Sequence, residues 1–283
     1  MYTLIAQHEY GEQLELTNNP SYVITNIDGL NPPDAIINVL QRAGHDGSVF
    51  NSAFVDNRQI IINIAINNPA CENRNRLFRF FRTARRTRLI YRNDYHAVYI
   101  DGYVQNAPVE YFGQKQVIQI TLICPDPFWH GLVEIEGTTD GIESSFEFPF
   151  SIDENDPIPF SEYHSGGGAF LWNPGSVESG IIVTITASGS VTNPTVYHVQ
   201  TDTFFKVNTS LQSGDTLIID TMTDEKSVKR IRSGVTTNLI AYIDGGSTWI
   251  NAIPGDNQFI LLADSGSANM MAEIRFTTNI EGV

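Results

Sequence analysis

Ile60, Ile62, Ile64 and Ile66 alternate with Ile61, Asn63 and Ala65 inside the run Arg58–Asn67. A repeat of two places the first four side chains on one face of a strand, whereas a helix would scatter them around its axis. β-branched isoleucine adds to that preference. A strand of this length exposes backbone groups along both edges and so commits the chain to a sheet. Shorter β-rich runs precede it at Gln13–Thr17, Tyr22–Ile27, Ala35–Gln41 and Ser48–Val55. Asn18-Asn19-Pro20, Asp28-Gly29, Asn31-Pro32-Pro33 and Gly44-His45-Asp46-Gly47 separate them as turns. In the last of these, glycine suits backbone with φ > 0.

One segment departs from the β pattern. Asn68 and Pro69 suit the N-cap and first position of a helix. Leu77, Phe80, Phe81 and Ala84 then fall at i, i+3, i+4 and i+7, which predicts a helix over Pro69–Arg85. Arg76, Arg79 and Arg86 form one basic stripe on it, and Arg74, Arg82 and Arg85 a second. Strands are expected again at Arg88–Arg92, His96–Gln105 and Gln114–Ile123, ending in Cys124-Pro125-Asp126-Pro127-Phe128-Trp129.

Charge divides the chain near residue 130. Residues 1–130 hold 11 Lys/Arg and 12 Asp/Glu, a balance of −1, and residues 131–283 hold 6 and 20, a balance of −14. That step marks a domain boundary. Beyond it, Ile152–Glu162 reads as a linker and Ser165-Gly166-Gly167-Gly168 as a flexible turn. Strands are expected at Ala169–Asn173, Gly180–Ala187, Thr195–Gln200, Phe204–Val207, Thr216–Asp220, Val228–Arg232, Thr237–Tyr242, Asn257–Ala263 and Met270–Thr277. Short strands at regular intervals, with turn residues between them, point to a β-sandwich of jelly-roll type.

Composition limits the function. A chain of net charge −15 is a poor general ligand for phosphate backbones, so nucleic-acid recognition is not expected. No apolar run approaches the roughly 18 residues of a membrane span. Met1–Glu9 has neither a basic start nor a long apolar core, which predicts no signal peptide, and Asn208-Thr209-Ser210 then reads as a chance sequon. Two cysteines, Cys71 and Cys124, exclude a disulfide scaffold and a four-cysteine zinc site, and both read as small buried apolar residues.

The motifs of nucleophile elbows, zinc proteases, P-loops and dinucleotide sites are absent. His45-Asp46 reads as a hairpin turn rather than half of a metal-dependent phosphohydrolase pair. Asp153-Glu154-Asn155-Asp156 lacks the glycine and the final glutamate of a calcium loop and reads as solvated linker. Glu134, Glu136, Glu143 and Glu147 could pair as glycosidase carboxylates, or could simply face solvent from strands. The basic helix face could meet phosphates, solvent or an acidic neighbouring subunit. Tyr163, Trp172, Tyr197, Tyr242 and Trp249 suit either a β-core or stacking on sugar rings.

The order of these features carries a resemblance. Gly44-His45-Asp46-Gly47-Ser48, the strand Arg58–Asn67, the helix Pro69–Arg85 and the strand Val117–Ile123 run in turn into Cys124-Pro125-Asp126-Pro127-Phe128-Trp129. This series resembles the distal tail proteins of long-tailed bacteriophages, also called siphovirus tail components. Trp172-Asn173-Pro174-Gly175, Thr192-Asn193-Pro194, the run Gly214–Asp220 and Pro254-Gly255-Asp256-Asn257 are similar to that family's C-terminal sandwich. The resemblance implies a mainly β chain with a β-rich, one-helix, ring-forming domain over 1–131. It implies a galectin-like or jelly-roll sandwich, also similar to carbohydrate modules, over 132–283. It also implies a homo-hexameric ring at the distal end of the virion tail, made in the cytoplasm of the bacterial host from a phage or prophage gene. That ring would join the tail tube protein to the baseplate, the tail-associated lysin or fibre protein and, in some members, receptor-binding proteins. No catalytic residue, metal or cofactor is implied. Arg79, Arg82, Arg85 and Arg86 become candidate interface residues, and Trp172 and Trp249 candidate contacts to host cell-wall carbohydrate. The alternative function is a carbohydrate-binding module recognising such glycans.

Overall fold

The computed structural model describes residues 2–111, 115–139, 168–222 and 226–283, with the backbone of 142–144 and 161–163. Residues 152–160 of the expected linker, with the run Asp153–Asp156, Glu147 and residues 165–167 of the expected turn lie outside the described residues, as do the side chains of Glu143 and Tyr163; the linker's last two residues, Ser161 and Glu162, belong instead to a strand, Ser161–Tyr163, and Gly168 opens the strand Gly168–Asn173. The chain forms two compact units, Met1–Leu132 with Asn279–Val283, and Val133–Thr278.

The first unit holds β1 (Thr3–His8), β2 (Gln13–Glu15), β3 (Tyr22–Asp28), β4 (Ala35–Gln41), β5 (Ser48–Val55) and β6 (Arg58–Ile66). These are followed by α1 (Ala70–Phe80), β7 (Arg86–Arg92), β8 (Ala97–Asn106), β9 (Val109–Glu110), β10 (Gln116–Cys124) and the start of β11 (Trp129–Thr138). The antiparallel order is β2–β1–β7–β8–β10–β6–β3, while β4 and β5 pair only with each other. One core fills the unit: Leu4, Leu16, Ile60, Ile62, Ile64, Leu89, Ile100, Ile120 and Trp129 are all but inaccessible, with Leu77, Phe80 and Phe81 against them. The isoleucine alternation is thus realised, with Ile60, Ile62 and Ile64 inward and β10 in register from Cys124↔Arg58 to Gln116↔Ile66. Hydrophobic burial on this scale is the main favourable term in folding.

Three sequence expectations need correction here. The helix ends at Phe80 rather than Arg85: Phe81 leaves helical backbone at φ −92°, ψ 72°, and Ala84 takes a left-handed φ of 61°. The cause is tertiary. Ala84 N–H donates to Val104 O and Val104 N–H to Arg85 O, so β8 captures the backbone that a helix would need. Arg82 and Arg85 therefore lie in a connecting turn and Arg86 opens β7, which dissolves both expected basic stripes. At the other end Pro69, not Asn68, is the N-cap, without a side-chain cap bond. Cys71 is exposed and only Cys124 is buried, where burial pushes its thiol up to about 12. Strand β1 and strand β11 were not foreseen.

The second unit is a two-sheet sandwich. Its elements are β12 (Ile142–Ser144), β13 (Ser161–Tyr163), β14 (Gly168–Asn173), β15 (Ser179–Gly180), β16 (Ile182–Ala187), β17 (Val191–Thr192) and β18 (Thr195–His198). Next come β19 (Thr203–Lys206), β20 (Ser210–Leu211), β21 (Thr216–Asp220), β22 (Ser227–Arg232), β23 (Val235–Asn238), β24 (Asn251–Ala252), β25 (Gly255–Leu262) and β26 (Met270–Ile280). One sheet runs β14–β25–β18–β19 and the other β26–β16–β21–β22–β23. Their inward residues, among them Leu171, Val183, Ile185, Phe205, Leu217, Phe259 and Ile274, share one core. The strand expected over Thr237–Tyr242 is corrected: pairing stops at Asn238, and Ile240–Tyr242 form a 3₁₀ turn. Asn238 Oδ1 accepts from Ile240 N–H and bends the chain there, a local bond that competes with a sheet ladder.

Candidate assembly surfaces

The arginines expected as an interface separate into two kinds. Arg79, on α1, lines a groove of about 570 Å³ with Glu12, Glu72, Asn75, Arg76 and Phe80. Arg82 adjoins it, with Asn75, Phe78 and Arg79. Arg85 and Arg86 instead face acids of the same unit, at 3.7 Å from Glu9 and 3.5 Å from Asp101. Asp101 is held chiefly by Arg88, through two bonds of 2.9 and 2.8 Å, and Arg88 lies 3.9 Å above the Tyr99 ring. Such a two-pronged pair fixes geometry more than a single contact does.

A run of exposed apolar side chains lies on the hairpin β4–β5, where charge gives no sign of it. Every residue of β4 is exposed, and β5 is nearly so. Ile37, Val39, Leu40 and Phe50 are 61%, 54%, 59% and 64% exposed. Register pairs Ile36 with Phe54 and Val39 with Phe50, with a bulge between Asn38 and Val39. Gly44 and Gly47 turn the tip at φ 80° and 86°, the left-handed backbone expected of them. A two-stranded ribbon of this kind is marginal alone in water. The signal was present in the sequence: Ile36, Ile37, Val39 and Leu40 leave β4 no polar face.

A second apolar feature lies at the two free edges of the sheet. Tyr2, Leu16, Pro20, Tyr22, Val23 and Ile24, with Thr17, Asn18 and Asn19, line an open groove of about 760 Å³. Leu16 and Tyr22 are buried and form its floor, while Tyr2 and Val23 are close to half exposed.

The two candidate tryptophans are placed differently. Trp172 stands 60% exposed on β14, beside Phe170 at 66%. Trp249 packs against the sandwich core, 4.8 Å from Phe205, with Lys226 Nζ 5.5 Å from its ring. They do not form one platform.

Two histidines have resolved electrostatic environments. His130 Nε2 lies 3.1 Å from Asp126 and its Nδ1 2.9 Å from Asn279 Oδ1. Burial works against the charge on each, but their mutual bond outweighs it, so Asp126 titrates below the usual carboxylate range and His130 above the usual imidazole range. His198 is buried against Phe259 and held neutral by burial, although Asn257 favours its charged form. Among the described residues no three His, Cys, Asp or Glu side chains are placed to hold a metal.

Residues 174–279 match the family model described as siphovirus-type tail component, C-terminal domain. The whole chain is similar in structure to the Dit protein of phage SPP1, described as a paradigm of the hub adsorption apparatus in phages infecting Gram-positive bacteria. That similarity has a TM-score of 0.68 at 13% identity and covers 99% of both chains. It is also similar to chains of the phage P2 baseplate in its activated conformation with calcium and with strontium. These have TM-scores of 0.54 and 0.53 at 14% identity, with full coverage of each chain. No curated protein sequence matches. The second unit thus carries a siphovirus-type tail component domain, and the chain as a whole has the fold of a phage tail hub protein.

Proposed function

We propose that this chain is the hub of a phage tail tip, six copies closing a ring at the distal end of the tail tube. In that reading the first unit forms the ring and contacts the tube and the tail lysin or fibre protein. The second unit faces outward, where receptor-binding proteins or the host wall are met. The role is one of assembly rather than catalysis. The observation that carries the reading is the hairpin β4–β5, which displays six large apolar side chains that its own unit leaves uncovered. Patches of this kind on a monomer mark protein contact sites. Light scattering on the purified chain tests it. A mass of six 31.5 kDa subunits is expected. A single subunit at every concentration, with or without tail tube protein, overturns the ring.

A second reading concerns the outer unit. Phe170 and Trp172 project two residues apart from one edge strand, and flat exposed aromatics can stack on sugar rings. Trp249 enters this reading only as a neighbour of the core. Quenching of tryptophan fluorescence by soluble cell-wall glycan, lost in Trp172→Ala, is the expected result. Unchanged fluorescence overturns it.

A further inference from the structure

The first unit leaves two apolar surfaces without a partner, and their shapes are opposite. One is a ribbon and the other a groove. Successive strand residues point to opposite faces. Ile36 and Ile37 are both exposed, as are Val39 and Leu40, so both faces of the ribbon are apolar. A ribbon apolar on both faces loses most exposed apolar area when it settles into a concave apolar surface. Tyr2, Val23 and Ile24 line the open groove above the buried Leu16 and Tyr22.

We propose that the hairpin β4–β5 of one copy lies in the groove lined by Tyr2 and Val23 of the next copy, making the repeating contact of the assembly. The proposal rests on the ring reading and names which surfaces meet. Charge supports it. Neither Ala35–Gln41 nor Ser48–Val55 contains a charged residue, and none lines the groove. Burying one in the other therefore strands no ion. The charges nearest to the ribbon, Asp34, Arg42, Asp46 and Asp56, stand at its base and tip.

Connectivity supports it as well. The hairpin leaves the sheet after Asp28 and re-enters at Arg58, at the end of β3 where Asp28 pairs with Ile61. The groove lies at the other end of β3, where Tyr22 pairs with Ile66. Seven strand residues span about 23 Å, and the chain's own hairpin, exposed along its length, does not cover its own groove. Among the described residues strand β3 pairs with β6 alone, which leaves its outer edge beside the groove without a strand partner there. The ribbon's six side chains, each about half exposed, offer on the order of 500 Å² of apolar surface. That is a large part of the roughly 800 Å² per partner typical of a stable interface. A contact between two different patches on each copy is heterologous, and heterologous contacts whose rotation closes build rings.

Two variants test this. Val39→Asp with Leu40→Asp spoils the ribbon, and Val23→Asp spoils the groove. Each alone is expected to shift the light-scattering mass from oligomer to one subunit. Mixed one to one, they are expected to form a dimer of two subunits and nothing larger. Only one intact ribbon–groove contact remains in the mixture. If the wild type assembles but either variant assembles as well as it does, or if the mixture stays at one subunit, the ribbon–groove contact is overturned and the ring survives. If the wild type itself stays at one subunit, the ring and the contact fall together. A cysteine pair, Leu40→Cys with Val23→Cys in a Cys71→Ser background, gives an independent reading should an aspartate variant fail to fold. Mild oxidation should yield a ladder of linked subunits, and linked dimers no more abundant than in either single-cysteine protein overturn the contact.

Discussion

At the scale of single residues, the first unit is tied together by an arginine whose hydrogen bonds go to main-chain carbonyls. The Arg58 side chain is buried, and its guanidinium donates to Pro127 O at 2.6 Å, to Gly29 O and Asn31 O at 2.8 Å each, and to Glu281 O. Burial lowers its pKa, yet the rigid fork of donors keeps all four carbonyls satisfied. Arg58→Met should cost about 3 kcal/mol or more, because buried acceptors lose charged donors. Arg58→Lys should recover only part of that, since an ammonium cannot span four carbonyls. Urea unfolding of the two variants checks this order. His130 gives a pH-dependent counterpart. Its pKa is raised in the fold, so its contribution is complete below the ordinary imidazole value and fades as pH rises through the folded value. Asp126 is depressed, so its share is present above the ordinary carboxylate value and fades as pH falls through its lower folded value. Stability from the pair therefore peaks between about pH 4 and 6.5. Melting temperatures of the wild type should decline from pH 6 to 8 more steeply than those of His130→Gln.

At the scale of elements, what could be read from the chain followed from whether its cause was local. The period of two in Arg58–Ile66 is a local pattern, and β6 formed as expected. The same pattern would have placed Trp172 outward. Ala169 and Leu171 face the core, and Phe170 and Trp172 therefore alternate away from it. The end of α1 was not legible, because Val104, twenty residues beyond Ala84 in the chain, takes the backbone bonds that decide it. Ala84 is held left-handed as a result, at a cost of about 1 kcal/mol for a residue with a Cβ. Ala84→Gly should thus raise stability by up to about that amount despite its usual penalty, and thermal unfolding reads the sign. The sequence showed that β4 has no polar face, but not that both its faces stay exposed. The strands of the hairpin were recognisable, but what covers a strand is a property of its partners, not of its own residues. Trp249 shows the converse, since Phe205 and Lys226, which enclose it, are remote in sequence.

At the scale of the whole molecule, charge and apolar contact make opposed demands, and salt separates them. Each copy carries −15, nearly all of it on residues 131–283. Bringing such copies together in the proposed ring costs repulsion, which ions screen beyond a Debye length of about 10 Å at 0.1 M. If subunits met through Arg79 and Arg82 against acids of a neighbour, added salt would weaken the contact along with the repulsion. The ribbon and groove contain no charge, so salt has no attraction there to screen, and excluded salts strengthen apolar burial. The oligomeric fraction should therefore rise from 20 mM to 500 mM sodium chloride, and further in sulfate of equal ionic strength. Sedimentation velocity across that series reads it. A fraction that falls with salt would move the subunit contact from the hairpin to the arginine grooves of α1.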